Sequence, residues 1–153
     1  MIPSLALRPA GVEDAGLLFD WVNRPDSLAG KRQTTAPIHW ENHQGWLSRL
    51  LANNAARLWI IEIGGRPVGQ VRLAPDAAGR RMVDIFILPE ARRGGLARAA
   101  LLHALAEAGR LWPAQPVYAE VLTDNLPSHG LFRRLGFALE QTAAGHSLYV
   151  HQA

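Results

Sequence analysis

Between a strand-like run and a stretch rich in alanine and leucine the chain reads Arg92-Arg93-Gly94-Gly95-Leu96-Ala97-Arg98. Backbone N–H groups at such a strand-to-helix junction point at one guest, and the start of the helix adds partial positive charge. Both favour a pyrophosphate. Gly94 and Gly95 carry no Cβ, so an anion can approach the backbone closely. Arg92, Arg93 and Arg98 supply guanidinium groups that pair with phosphate oxygens. The spacing matches neither G-x-x-x-x-G-K-[ST] nor G-x-G-x-x-G, which sets aside a nucleoside-triphosphatase loop and a dinucleotide fold. A second group of residues suited to chemistry is acidic. Asp84, Glu120 and Glu62 each stand on a strand-like run among apolar neighbours, where a carboxylate is either a structural ion-pair member or a proton acceptor.

The elements that must position these residues follow from hydrophobic period. Leu5–Arg8 reads as a short strand. Val12–Asn23 reads as a helix, since Leu17, Leu18, Trp21 and Val22 recur at helical spacing. Arg24-Pro25-Asp26 stops it, and Ser27 to Pro37 is polar and irregular. A second helix is predicted over Trp40–Asn53. The period then changes to two. Leu58–Ile63 and Val68–Leu73 form a hairpin about Gly64-Gly65, because paired glycines tolerate the positive φ angles of a tight turn. Met82–Leu88 is a further strand, Pro89–Gly94 a loop, Leu96–Ala108 a helix and Val117–Leu122 a strand. Leu126–Leu135 is a short helix ended by Gly136. Phe137–Gln141 and His146–Val150 close the chain as strands. The order β-α-α-β-β-β-α-β-α-β-β has a hairpin-rich middle and one βαβ unit. It predicts a single domain over residues 1–153, of α/β (α+β mixed-sheet) class: a central mixed β-sheet with helices on both faces, not a doubly wound sheet.

In this context Ile87-Leu88-Pro89-Glu90-Ala91-Arg92-Arg93-Gly94-Gly95-Leu96-Ala97 resembles the acyl-CoA signature of the GNAT acetyltransferase superfamily, read here as Arg92-x-x-Gly95-x-Ala97. Downstream, Asn125-Leu126-Pro127-Ser128 and the Leu135-Gly136-Phe137 close resemble its second signature. The resemblance covers nearly the whole chain. It implies a GNAT-like acyl-CoA N-acyltransferase fold in which two parallel strands, here Met82–Leu88 and Val117–Leu122, splay around the pantetheine arm of acetyl-CoA. It further implies that the backbone of Ile87 and Leu88 meets that arm, that the 92–98 loop holds the pyrophosphate, and that Asn125, Ser128 and Phe132 border the cofactor. An attacking amine must first lose a proton. Asp84 and Glu120 are the candidates for that base, with Glu62 a third. Many family members place a tyrosine where this chain has Phe132, and phenylalanine cannot donate a proton to a leaving thiolate. His129, Tyr118, His146 and Tyr149 remain open as substitutes.

On the acceptor side, Trp21-Val22-Asn23-Arg24-Pro25, Ile38 to Leu47 and Val68 to Arg72 resemble the aminosugar N-acetyltransferases of pseudaminic- and legionaminic-acid biosynthesis. That resemblance implies a nucleotide-linked amino sugar as acceptor, with Arg32, Trp40, His43, Trp46 and Arg72 as its contacts. Sugars and bases stack on aromatic faces. The alternative for the tryptophans is core anchoring. The alternatives for the protein are a peptide-amine or small-amine acetyltransferase and a non-catalytic acyl-CoA-binding module.

Composition narrows the field. No cysteine is present, which excludes disulfides, a cysteine nucleophile and thiolate metal sites. His39 and His43 lack an evident third ligand, so no metal is expected. A net charge of +3 suits a small anionic ligand, and the arginines are dispersed rather than gathered into a nucleic-acid footprint. No apolar run approaches the ~20 residues that span a bilayer, and the first residues do not read as a signal peptide, so a cytoplasmic enzyme is expected. A homodimer is an open alternative to a monomer.

Overall fold

A computed structural model describes residues 4–24, 38–92 and 94–152. Seven strands form one sheet: β1 (Leu5–Pro9), β2 (Arg57–Ile63), β3 (Arg66–Pro75), β4 (Arg81–Ile87), β5 (Val117–Leu122), β6 (Ala138–Ala143) and β7 (His146–His151). Their spatial order is β1-β2-β3-β4-β5-β7-β6. Every neighbouring pair is antiparallel except β4 and β5, which run parallel. Parallel neighbours need a long crossover, and the helix α3 (Leu96–Leu111) supplies it. The other helices are α1 (Ala15–Val22), α2 (Trp40–Ala52) and α4 (Leu126–Arg134). The mixed sheet expected from the sequence is the one observed, with the elements in the expected order.

Strand alternation sorts the residues of β2 between two layers. Trp59 and Ile61 join a large apolar cluster with Ala100, Leu101 and Ala104 of α3 and Phe132 of α4. Leu58 and Ile60 face the other way, into a smaller cluster with Leu18 and Trp21 of α1 and Leu47 and Leu50 of α2. Ala100, Leu101 and Ala104 are completely buried. The small alanine side chains let α3 lie close on the sheet. Full burial of a leucine such as Leu101 contributes about 1.5–3 kcal/mol.

Several boundaries differ from the sequence reading, each for a local reason. Val12–Asp14 is a 3-10 turn, and the α-helix begins only at Ala15. The turn is fixed by Arg8, whose guanidinium meets Asp14 at 2.8 and 2.9 Å. That pairing holds the Asp14 carboxyl below the usual carboxylate range. Leu88 lies past the end of β4 and caps the 3-10 turn Pro89–Ala91. Helix α3 runs on to Leu111. At the end of α4, the Phe137 N–H bonds to the Phe132 carbonyl at 3.0 Å and the Gly136 N–H to the Arg133 carbonyl at 3.0 Å. This is the Schellman arrangement, with Gly136 at φ 94°. Phe137 is therefore spent on the helix end, and β6 starts one residue later than expected. The predicted irregular stretch from Ser27 to Pro37 lies outside the described residues, as do Arg32 and Arg93.

Candidate active site

The parallel strands β4 and β5 touch at one rung, Met82↔Tyr118, and then diverge. The opening between them is the splay expected from the sequence. Its β4 wall is polarised by strand alternation. The Leu88 N–H is already taken by the Val68 carbonyl at 2.8 Å. Gln70↔Phe86 and Arg72↔Asp84 continue the regular β3–β4 register. In an antiparallel ladder the residues between bonded pairs point their polar groups outward. The N–H groups of Ile85 and Ile87 are thereby turned away from β3 and toward β5.

Beyond the end of β4 the chain makes the predicted loop. The Arg92 Nε donates to the Ile87 carbonyl at 2.7 Å, and its guanidinium lies 5.8 Å from the Phe86 ring centre. This folds the loop back on the strand end. Gly94 and Gly95 follow at φ 89° and 78°, in the left-handed region that residues with a Cβ rarely adopt. Gly95 is the N-cap of α3, and its carbonyl accepts from Ala99 at 3.1 Å. A Cβ at either glycine would meet no protein atom within 4 Å, so both face open space. A cradle of N–H groups at the start of a 16-residue helix fits a pyrophosphate. Leu96 is buried, Ala97 partly so, and Arg98 is exposed on the first turn beside the cradle.

A further glycine serves the same place from beneath. A Cβ on Gly69 of β3 would collide with the Phe86 carbonyl and lie 3.0 Å from the Ile87 Cα. Its absence lets β3 sit against the backbone that lines the splay. A glycine inside a strand pattern is the signal for such a close approach.

On the opposite wall, Asn125 caps α4, its side-chain oxygen accepting from the Ser128 N–H at 3.4 Å. Phe132 is 5% exposed and packs edge-on to Phe137 at 5.0 Å. Behind it, the His129 Nε2 faces the Leu122 carbonyl at 3.0 Å and the Thr123 carbonyl at 3.2 Å. Nε2 donates to those carbonyls, and Nδ1 is hydrogen-bonded with the Tyr149 hydroxyl at 2.6 Å. Tyr149 is completely buried. The carbonyl bonds tie α4 to the end of β5, and the Tyr149 bond ties it to β7.

Arg72, Asp84 and Glu120 fall in one row on the sheet face that carries α1 and α2. Arg72 of β3 pairs with Asp84 of β4. Asp84 and Glu120 each stand two residues beyond the Met82↔Tyr118 rung, and so lie level across the splay on one face. Glu120 in turn pairs with Leu148, and Leu148 with Gln141. The Asp84 Oδ2 accepts from the Gln70 Nε2 at 3.0 Å and is 3.8 Å from the Arg72 Nη2. The Arg72 guanidinium lies 5.2 Å from the Trp46 ring centre. Glu120 is 3.8 Å from the His146 Nε2. Arg80, Glu120, Gln141, Ala143, His146 and Leu148 line an open cleft of about 210 Å³.

Trp40 is 37% exposed, edge-on to Phe19 at 5.0 Å. His43 is only 3% exposed. Its Nε2 meets the Ala15 carbonyl at 3.1 Å, so the ring joins α2 to α1, and burial holds its pKa below the ordinary value. Glu62 is not brought to the site. It is bound to the Arg8 Nε at 2.9 Å, with β3 between it and β4. Gln70 was not among the residues singled out from sequence. Its signal was a lone amide in the otherwise apolar pattern of Val68, Val71 and Leu73.

The splay, the glycine cradle and the carboxylate-lined face together make an acyl-CoA transferase of the kind the sequence resembles. Residues 18–137 match the acetyltransferase (GNAT) family. No curated protein matches the chain in sequence. Among solved structures, a GNAT-family acetyltransferase from Streptococcus pneumoniae superposes with TM-score 0.80 at 18% identity, over 98% of this chain and 100% of that one. A putative acetyltransferase from Salmonella typhimurium, solved with its cofactor acetyl-CoA, superposes with TM-score 0.80 at 16% identity, over 97% and 93%. A ribosomal-protein-alanine N-acetyltransferase from Brucella melitensis gives 0.81 at 19%, over 97% and 99%. The chain belongs to the GNAT acetyltransferase family. It is an acetyl-CoA-dependent N-acetyltransferase. Among the described residues no helix is long and apolar enough to cross a membrane.

Proposed function

We propose that the enzyme acetylates a primary amine on a nucleotide-linked sugar, with Glu120 receiving the ammonium proton. The observation that carries the acceptor class is the Arg72 guanidinium, 5.2 Å from the Trp46 ring and 3.8 Å from Asp84. A cation beside an aromatic face suits phosphate next to a ring. Trp40 adds exposed aromatic surface on the same helix.

Acetyl-CoA supplies an activated acyl thioester. The N–H groups around Gly94 and Gly95, with Arg98, would hold its pyrophosphate. The Ile87 N–H donates toward the acyl oxygen, where charge grows in the transition state. The side chains then divide the work on the acceptor. Asp84 is committed to Gln70 and Arg72, and orients the guanidinium. Glu120 borders the open cleft with His146 beside it, which gives a proton from the amine a path to solvent.

The test is steady-state kinetics. Arg72→Ala and Trp40→Ala are each expected to raise the acceptor KM about tenfold, equivalent to about 1.4 kcal/mol, and to leave the acetyl-CoA KM unchanged. Removal of the nucleotide from the sugar should do the same. If a free amino sugar reacts as well as its nucleotide-linked form, the carrier assignment fails while the family assignment stands.

A second reading is a peptide α-amine, the acceptor class in the name of the Brucella neighbour. It is favoured by the cleft of about 210 Å³ beside Glu120, Gln141 and His146, which is open to solvent. Thiol release with ribosomal-protein N-terminal peptides in place of sugar nucleotides decides between them.

A further inference from the structure

Among the described residues one buried side-chain polar atom has no hydrogen-bond partner: the Oε1 of Gln70. The side chain is well buried, at 8% exposure. Its Nε2 donates to the Asp84 carboxylate at 3.0 Å. Only the NH2 end of an amide can donate to a carboxylate, so the orientation is settled and the carbonyl oxygen is the end left over. Buried acceptors without a donor are rare in folded proteins, and each one asks for a reason.

Packing offers none. Gln70 stands on β3 between Ile60 of β2 and Phe86 of β4, both apolar. A methionine or leucine would fill the position with no orphaned atom. The charged neighbours on its face are Asp84 and Arg72, the pair assigned above to the acceptor side. The carboxylate beside it can answer an ammonium, which leaves the amide oxygen to accept a second polar hydrogen.

We infer that the Gln70 Oε1 receives a polar hydrogen from the acceptor, an O–H or N–H borne on the atom next to the amine-bearing carbon, and so selects acceptors that carry one. The inference rests on the reading that the Asp84 face is the acceptor side. Asp84 holds the amide in place through its Nε2, so that the oxygen keeps one position. An acceptor lacking the donor leaves that oxygen unpaired. Discrimination by a missing hydrogen bond is far steeper than discrimination by size.

The experiment compares UDP-glucosamine with its 3-deoxy analogue on wild-type enzyme and on Gln70→Met, which keeps volume and removes the oxygen. Wild type is expected to favour UDP-glucosamine at least tenfold in kcat/KM. In Gln70→Met the preference should collapse to within about threefold, with an unchanged acetyl-CoA KM and a melting temperature within a few degrees of wild type. A wild-type enzyme indifferent to the 3-hydroxyl overturns the inference, and that arm needs no variant. So does a Gln70→Met enzyme that keeps the preference or loses rate equally on both sugars. If neither sugar nucleotide is acetylated, the sugar reading falls. The same comparison then uses alanine N-methylamide against alanine N,N-dimethylamide, which differ in one N–H. Tenfold preference in wild type and its loss in Gln70→Met upholds the role of Gln70, and acetylation of neither pair, or without preference, overturns it.

Discussion

The two faces of the sheet solve different problems with the same strands. Under α3 and α4 a single apolar cluster runs from Trp59 of β2 to Tyr149 of β7, and almost every inward position is hydrophobic. Under α1 and α2 the apolar cluster of the described residues takes in Leu58 and Ile60 of β2 with Ala74, Phe86 and Leu88 at its margin. From there the face carries Gln70, Arg72, Asp84, Glu120 and His146. The first face is built for stability. The second gives up apolar burial to polar and charged side chains, the ones the proposed reading assigns to the acceptor. Function that uses main-chain N–H groups tolerates many sequences, whereas function that uses carboxylates and an amide does not.

The sharpest way to break this contrast is at Glu120. Glu120→Gln keeps shape and removes the proton acceptor. The expected loss in kcat is about 10²–10⁴, greatest near neutral pH and smaller at high pH where more of the amine is already neutral. Acetyl-CoA affinity by calorimetry should not move. Asp84→Asn should instead act mainly on the acceptor KM. If the two amide variants swap these effects, the division of labour between the strands is reversed. If neither affects turnover from about pH 6 to about pH 9, binding of the neutral amine alone suffices.

A smaller effect is expected on the cofactor side. Gly95 sits at φ 78° facing open space, so Gly95→Glu adds backbone strain and negative charge at the cradle. Acetyl-CoA affinity should fall about tenfold, or about 1.4 kcal/mol, while the acceptor KM stays put. Unchanged affinity would move the pyrophosphate to another part of the chain.

One side chain between α1 and α2 gives the fold a pH dependence. His43, in the α1–α2 seam, has its pKa lowered by burial from an ordinary 6.5. The unfolded chain therefore binds this proton more readily than the folded one. The stabilisation from keeping His43 neutral is complete above about pH 6.5 and is lost as pH falls below it, by at most about 1.4 kcal/mol per pH unit for one proton. Thermal melts from pH 7.5 down to pH 5 should show the decline, and His43→Gln should flatten it. An unaltered slope would show that other groups set the acid response.

The smallest expected change comes from Phe132→Tyr. The ring is buried against Phe137, and a thiol already leaves readily near neutral pH. Turnover should change by less than about tenfold, or about 1.4 kcal/mol of barrier. A larger gain would mean that departure of the thiolate limits the present enzyme.

What was legible from residues alone depended on local physics. The hairpin at Gly64-Gly65, the helix stop at Gly136 and the glycine pair before α3 each require φ angles that only glycine adopts easily, so their sequence positions announce their structure. Period-two and helical patterns separated strands from helices, and the single βαβ unit implied one parallel pair. Boundaries were less legible where tertiary partners intervene. Asp14 is drawn into a turn by Arg8 from β1, and Phe137 is claimed by the end of α4.

The chemistry of the acceptor face was decided only by the fold. By sequence, Asp84 and Glu120 are the leading carboxylates and Glu62 a third, and spacing alone does not separate the first two. The sheet order takes Glu62 to Arg8 and sets Asp84 and Glu120 level across the splay, because strand register fixes which residues share a row and a face. The same register leaves the oxygen of Gln70 buried with no donor among the described residues, and carries His146 from the far end of the chain to within 3.8 Å of Glu120. Linear spacing reports the period of an element and the glycines it needs. Contacts between residues dozens of positions apart exist only once the strands have paired.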